Sequence, residues 1–100
     1  MNPYEPSVKD QVAIVTGASN GIGRAIAERL AEDGAIVVVN YRTSAEKARQ
    51  VVTGIQAKGE KAVAVQSDMS QVADALRLVI ETVEQFGRLD ILVNNAGRLM

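Results

Sequence analysis

The sequence predicts a doubly wound α/β fold, a parallel four-stranded sheet with three helices. Two observations carry this. Short apolar runs rich in Val and Ile alternate with segments whose apolar residues recur at helical spacing. Each of the three helical segments also ends in a glycine and leads within a few residues into the next apolar run. Parallel strands need such helical crossovers, and right-handed crossovers produce a sheet covered on both faces.

The elements follow in order. Met1 to Val8 holds two prolines and reads as an extended arm, leaving residues 9–100 as the folded unit. Lys9-Asp10 forms a turn, and the first strand spans Gln11 to Thr16. The first helix runs from Ile22 to Asp33 with Ile22, Ala25, Ile26 and Leu30 as its apolar stripe, and Gly34 ends it. Ala35 to Tyr41 is continuously apolar up to Asn40, as suits a central strand buried on both faces. Thr43 caps the second helix, with Glu46 completing a capping box. Its stripe is Ala45, Ala48, Val51, Val52 and Ile55; Gly59 ends it, and Gly54 inside it costs about 1 kcal/mol relative to Ala unless close packing compensates. Lys61 to Gln66 is the third strand. Ser70 caps the third helix, whose face is Val72, Ala73, Leu76, Val79, Ile80, Val83 and Phe86 before Gly87. Asp90 to Asn94 is the last strand, and Asn95-Ala-Gly97 follows.

Composition narrows the chemistry. A net charge of −1 gives no electrostatic case for nucleic acid or an anionic membrane surface. With neither cysteine nor histidine, the chain has no thiol or imidazole chemistry, and only carboxylates remain as metal ligands. No apolar run approaches the length of a membrane span, and the N-terminus lacks a signal-peptide pattern. The expected location is the cytoplasm.

In an open parallel sheet, ligands bind beyond the carboxyl ends of the strands. Here those ends deliver Thr16-Gly17, Asn40-Tyr41-Arg42, Ser67-Asp68-Met69 and Asn94 to Gly97. The stretch Val12 to Arg24 passes from strand through a glycine-rich turn into a helix N-terminus, whose unpaired N–H groups and dipole favour phosphate. Gly17 permits the tight turn, Gly21 lets backbone approach a ligand, and Gly23 lets the helix pack on the first strand. About twenty residues after such a motif, an NAD site places a carboxylate on the ribose 2′-hydroxyl. Neutral Asn40 stands in that neighbourhood, with Arg42 two residues on and Thr43 or Ser44 as hydroxyl donors. An absent carboxylate and a guanidinium favour the 2′-phosphate of NADP, with NAD also possible. Asn20, just before the second glycine, argues the other way, since the family that this turn resembles often has a basic residue there in its NADP-preferring members. Arg42 read as a solvated loop residue, and Asp68 read as a turn or cap, are the alternatives.

Thr16-Gly-Ala-Ser-Asn-Gly-Ile-Gly23 resembles the TGxxxGxG cofactor motif of the short-chain dehydrogenase/reductase family, and Asn94-Asn-Ala-Gly97 resembles its NNAG motif. The resemblance spans Lys9 to Gly97. Within the family, Val37 to Arg42 is similar to bacterial glucose 1-dehydrogenases and some 3-oxoacyl carrier-protein reductases. It implies a Rossmann-type sheet of order 3-2-1-4, incomplete relative to the family, and a nicotinamide dinucleotide partner. The implied cofactor contacts are Gly17, Ser19, Asn20, Gly21, Ile22 and Gly23 in the turn and Asn40, Tyr41, Arg42 and Ser44 after the second strand. They continue with Asp68 and Met69 after the third strand, Asp68 near the adenine, and with Asn94, Ala96 and Gly97 after the fourth, Asn94 beside a ribose.

The family interconverts alcohols and carbonyls with a serine and a tyrosine followed four residues later by lysine. Here Tyr4 and Tyr41 are followed at that distance by Val8 and Ala45, so no catalytic residue carries over. The expectation is the cofactor-binding part of such an oxidoreductase, or a nucleotide-binding module without catalysis. An exposed apolar fourth strand also predicts self-association or pairing with a missing C-terminal half.

Overall fold

In the computed structural model, which describes residues 8–95, seven elements alternate. They are β1 (Val12–Val15), α1 (Gly21–Glu32), β2 (Ile36–Tyr41), α2 (Ala45–Ala57), β3 (Lys61–Gln66), α3 (Val72–Phe86) and β4 (Ile91–Val93). The sheet order is β3-β2-β1-β4, and all three pairings are parallel. The parallel sheet is the one that the alternation predicts, and its Rossmann-type order is the one that the family resemblance implies. The carboxyl ends of all four strands therefore share one edge.

The pleat explains the continuous apolar runs. Val37 and Val39 point to one face and join Ala27 and Ala31 of α1 with Ala48, Val51 and Ile55 of α2. Val38 points to the other and meets Ile14 of β1 and Leu78 of α3. Val8 is the one described residue of the N-terminal arm, and it packs against the first of these clusters. The Lys9-Asp10 turn closes with the Asp10 N–H donating to the Gly34 carbonyl at 2.9 Å.

Several helical details differ from the sequence expectation. The buried positions of α1 are Gly23, Ala27 and Ala31, whereas Ile22 is 74% exposed and Ala25 is exposed. Small residues four apart let the helix lie close on the sheet, so the larger Ile22 is turned outward. The apolar arc of α3 is wider than the sheet beneath it: Leu78 and Thr82 are buried, while Val72, Leu76, Ile80 and Val83 face outward. The N-caps also move. Ser44 and Gln71 precede α2 and α3, and neither makes a side-chain cap bond, so Thr43 and Ser70 are not the caps. Glu46 pairs with Arg49 rather than closing a capping box. Ser70 instead donates its N–H and its hydroxyl to Asp68.

Gly54 is exposed, and a Cβ there would meet nothing within 4 Å, so no close packing offsets its helix cost. Gly54→Ala should raise stability by about 0.5–1 kcal/mol in chemical denaturation. The outward stripe of α3 and the 53% exposed Leu92 on edge strand β4 leave apolar surface uncovered. Sedimentation should therefore show concentration-dependent association. A strictly monomeric chain with one sharp unfolding transition would contradict this.

Candidate functional site

At the end of β1 the chain enters a turn in which Gly17 and Gly21 both have φ of +61°, a backbone region that disfavours a side chain. Side chains from the neighbouring strands hold this turn. The buried Thr16 hydroxyl accepts the Asn95 N–H at 2.8 Å and lies 3.3 Å from both the Val93 carbonyl and Asn94 Oδ1. Asn95 Nδ2 donates to the Gly17 carbonyl at 3.2 Å. Asn40, only 2% exposed, accepts from the Gly17 N–H at 3.4 Å and donates to the Val65 and Ser67 carbonyls at 3.3 Å each. Four strand ends are thus tied together at one place.

The turn opens onto the N-terminus of α1. Asn20 precedes the helix without a side-chain cap bond, and no acidic residue lies in the first turn. The positive end of the helix dipole is therefore neither capped nor neutralised by these side chains. Among the described residues, a Cβ on Gly21 would meet nothing within 4 Å, so open space lies beside the backbone there. Gly23 is the opposite case: a Cβ there would stand 2.4 Å from the Gly17 carbonyl oxygen and 2.5 Å from Asn95 Nδ2. The positive φ of Gly17 and the close approach at Gly23 match the turn and packing roles expected from their spacing, and Gly21 leaves its backbone open.

The ends of β2 and β3 carry the charge. Arg42 Nε lies 3.8 Å from Asp68 Oδ2. Asp68 Oδ1 accepts from the Ser70 hydroxyl at 2.6 Å and the Ser70 N–H at 3.0 Å. These bonds, chiefly the hydroxyl, hold the Asp68 carboxyl below the usual range, with Arg42 adding to the effect. Asp74 accepts the Asp68 N–H at 2.6 Å and pairs with Arg77, which lowers its own pKa in that order. Arg77 reaches the Gln66 carbonyl at 2.8 Å, and Gln66 Nε2 donates to the Arg42 carbonyl at 3.2 Å. Ser67, also buried, donates to the Asp74 carbonyl at 3.0 Å.

Most of the expected site residues come together on this edge. Gly17, Ser19, Asn20, Gly21, Ile22 and Gly23 form the turn and the helix start, with the exposed Ile22 beside the open space. Arg42 and Asp68 face each other across the β2 and β3 ends. Ser44 is the N-cap residue of α2. Tyr41 and Met69 are half-buried and pack on the first and second core clusters respectively. Asn94 is exposed beside Thr16, while Ala96 and Gly97 lie outside the described residues. Sequence reasoning placed Thr16 and Asn95 at the converging strand ends without a ligand contact, Asn95 being open to a role in tying loop backbone together, and it gave Asp74 no part in the site. An acid in the first turn of α3 was the available signal for Asp74. Among the described residues, no group of acidic side chains could hold a metal ion.

Residues 11–100 match the short chain dehydrogenase family. The chain belongs to that family. It is 59% identical over 90 residues to an uncharacterized oxidoreductase of Methylorubrum extorquens, covering 90% of this chain and 36% of that protein. It is 53% identical over 85 residues to the 3-oxoacyl-[acyl-carrier-protein] reductase of Staphylococcus aureus, covering 85% of this chain and 35% of that one. A crystallised short chain dehydrogenase from Burkholderia cenocepacia, in complex with NADP, superimposes with a TM-score of 0.87. That pair is 48% identical and covers 95% of this chain and 39% of the crystallised one. The chain thus spans little more than a third of the family members it matches. In the family's frame, the open backbone at Gly21 and the uncapped α1 terminus fit a dinucleotide diphosphate.

Gly23→Ala must push the methyl group into the Gly17 carbonyl. It should destabilise the chain by about 1–3 kcal/mol in denaturant titration. The pH dependence follows from the lowered pKa values of Asp68, Asp74 and Asp90. Because these carboxyls titrate lower when folded, their contribution is present above the unfolded pKa near 4 and is lost as pH falls through the folded values. Thermal stability should therefore drop below about pH 4, and Asp74→Asn should flatten part of that drop.

Proposed function

We propose that this chain forms the NAD(P)(H)-binding part of a short-chain oxidoreductase that interconverts an alcohol and a carbonyl by hydride transfer. Residues 9–100 are then the dinucleotide-binding unit, and residues 1–8 an arm preceding it. The observation that carries the reading is the Gly17–Gly23 turn, with open space at the Gly21 Cβ position and an uncapped helix terminus beside it. When bound, the nicotinamide supplies or accepts the hydride. The chain's own residues bind and orient: the turn amides would take the diphosphate, and Asn94 would lie by a ribose. The cytoplasm, where nicotinamide dinucleotides are plentiful, is the location this reading implies. Among the described residues, no helix is long and apolar enough to cross a membrane.

NADP is the favoured cofactor, with NAD also accommodated. Support comes from Arg42, whose side chain is 69% exposed at the β2 end, and from the NADP complex of the Burkholderia relative. A second reading, a nucleotide-binding module without catalysis of its own, is favoured by one fact of the sequence. Neither tyrosine is followed four residues later by lysine. General acid–base help at a carbonyl oxygen needs such a donor within reach of the substrate.

Titration with NADPH and NADH, followed by cofactor fluorescence, tests the site. Binding of both, with NADPH tighter, is the expected result; binding of neither would defeat both readings. Arg42→Ala should weaken NADPH about tenfold, since it removes a charge-assisted contact to phosphate, and NADH far less. Equal losses for both would contradict the role given to Arg42.

A further inference from the structure

We propose that Asp68 is a specificity-determining residue of this site, holding Arg42 and setting how strongly a ribose 2′-phosphate is preferred over a 2′-hydroxyl. This rests on the NAD(P)-binding reading above.

The two partners of the Arg42–Asp68 pair are held unequally. Asp68 is fixed from three directions. Ser70 donates twice to its Oδ1, and its own N–H is bound by Asp74, which Arg77 grips in turn. Its side chain is 27% exposed, against 69% for Arg42. Arg42 is hydrogen-bonded, among the described residues, at its backbone carbonyl, which accepts from Gln66, and its side chain meets Asp68 as an ion pair. Among the described residues, Asp68 is the one acid within 4.0 Å of the Arg42 guanidinium. The hydrogen-bonded carboxylate therefore biases where the more exposed guanidinium rests.

That arrangement acts differently on the two dinucleotides. A 2′-phosphate must draw Arg42 from Asp68 or share it, and it brings about two negative charges toward a third. A neutral 2′-hydroxyl has no such conflict. Arg42 thus favours NADP, and Asp68 moderates that preference. An exposed ion pair is worth a few-fold in an equilibrium constant, and repulsion of a dianion adds to it. Removing the Asp68 charge should therefore raise the preference for the 2′-phosphate about three- to tenfold, most of all at low salt.

The test measures dissociation constants of the full chain for NADPH and NADH, with 2′,5′-ADP and 5′-AMP as probes of the 2′-phosphate alone. Asp68→Asn keeps an oxygen able to accept from Ser70, and Asp68→Glu keeps the charge as a second variant. The NADPH-to-NADH preference should rise about three- to tenfold in Asp68→Asn and stay near wild type in Asp68→Glu. The rise should shrink in high salt, and also in an Arg42→Ala background because the two residues are coupled. If the wild-type chain binds neither dinucleotide, the NAD(P) reading fails and this inference with it. If it binds both and Asp68→Asn leaves the ratio unchanged or lowers it, this inference alone is overturned. An equal rise with and without Arg42 also overturns it.

Discussion

The buried carboxamide of Asn40 is the contact on which the ligand edge of this sheet depends. It sits at the end of β2, accepts from the Gly17 N–H and donates to two carbonyls at the end of β3. Only an amide meets that demand. A carboxylate of the same shape has no hydrogen to give and would face the Val65 and Ser67 carbonyls with its charge buried. A hydrophobic residue would strand the same backbone groups, at about 1–3 kcal/mol each. The neutral residue at the end of β2 is therefore the one that the packing requires.

Thr16 and Asn95 do for β4 what Asn40 does for β2 and β3. Together they clamp Gly17 from both sides, its N–H by Asn40 and its carbonyl by Asn95. Gly23 must then lack a side chain, because the clamped carbonyl occupies the space. The clamp fixes the turn ahead of α1, so a negative ligand bound at the first amides, as proposed, would need little reorganisation. Beyond the turn, a second network built on Asp74 fixes the β3 end and leaves Arg42 as its exposed member. The proposed discrimination between closely related dinucleotides rests on that pairing of a hydrogen-bonded turn with an exposed guanidinium.

The fold was legible because its signals are local and repeated. Alternating periods, β-branched strands and glycines at Gly34, Gly59 and Gly87, all with positive φ, follow from backbone physics alone. The glycine turn was legible for the same reason. What the sequence hid depends on distance and direction. Ile22 fits a helical stripe by spacing, yet close helix–sheet contact selects Gly23, Ala27 and Ala31 instead. The apolar width of α3 does not reveal that little of the sheet lies beneath it. Thr43 and Ser70 obey cap statistics, but Ser70 serves the Asp68 carboxylate. Asn94 and Asn95 are adjacent in sequence, and only the fold shows that Asn95 clamps Gly17 while Asn94 stays exposed. Reading Asn40 only as a missing carboxylate likewise missed the three bonds that it makes.

On the proposed function, the clamped glycine turn is where this chain receives a dinucleotide diphosphate. Amide-resolved NMR of the labelled chain, titrated with NADPH, tests this most directly. The largest shifts are expected at the amides of Gly17 to Gly23, with smaller ones at Arg42 and Asp68, and silence along the outer face of α2. Binding that shifts α2 or β3 and leaves the glycine turn unmoved would contradict it.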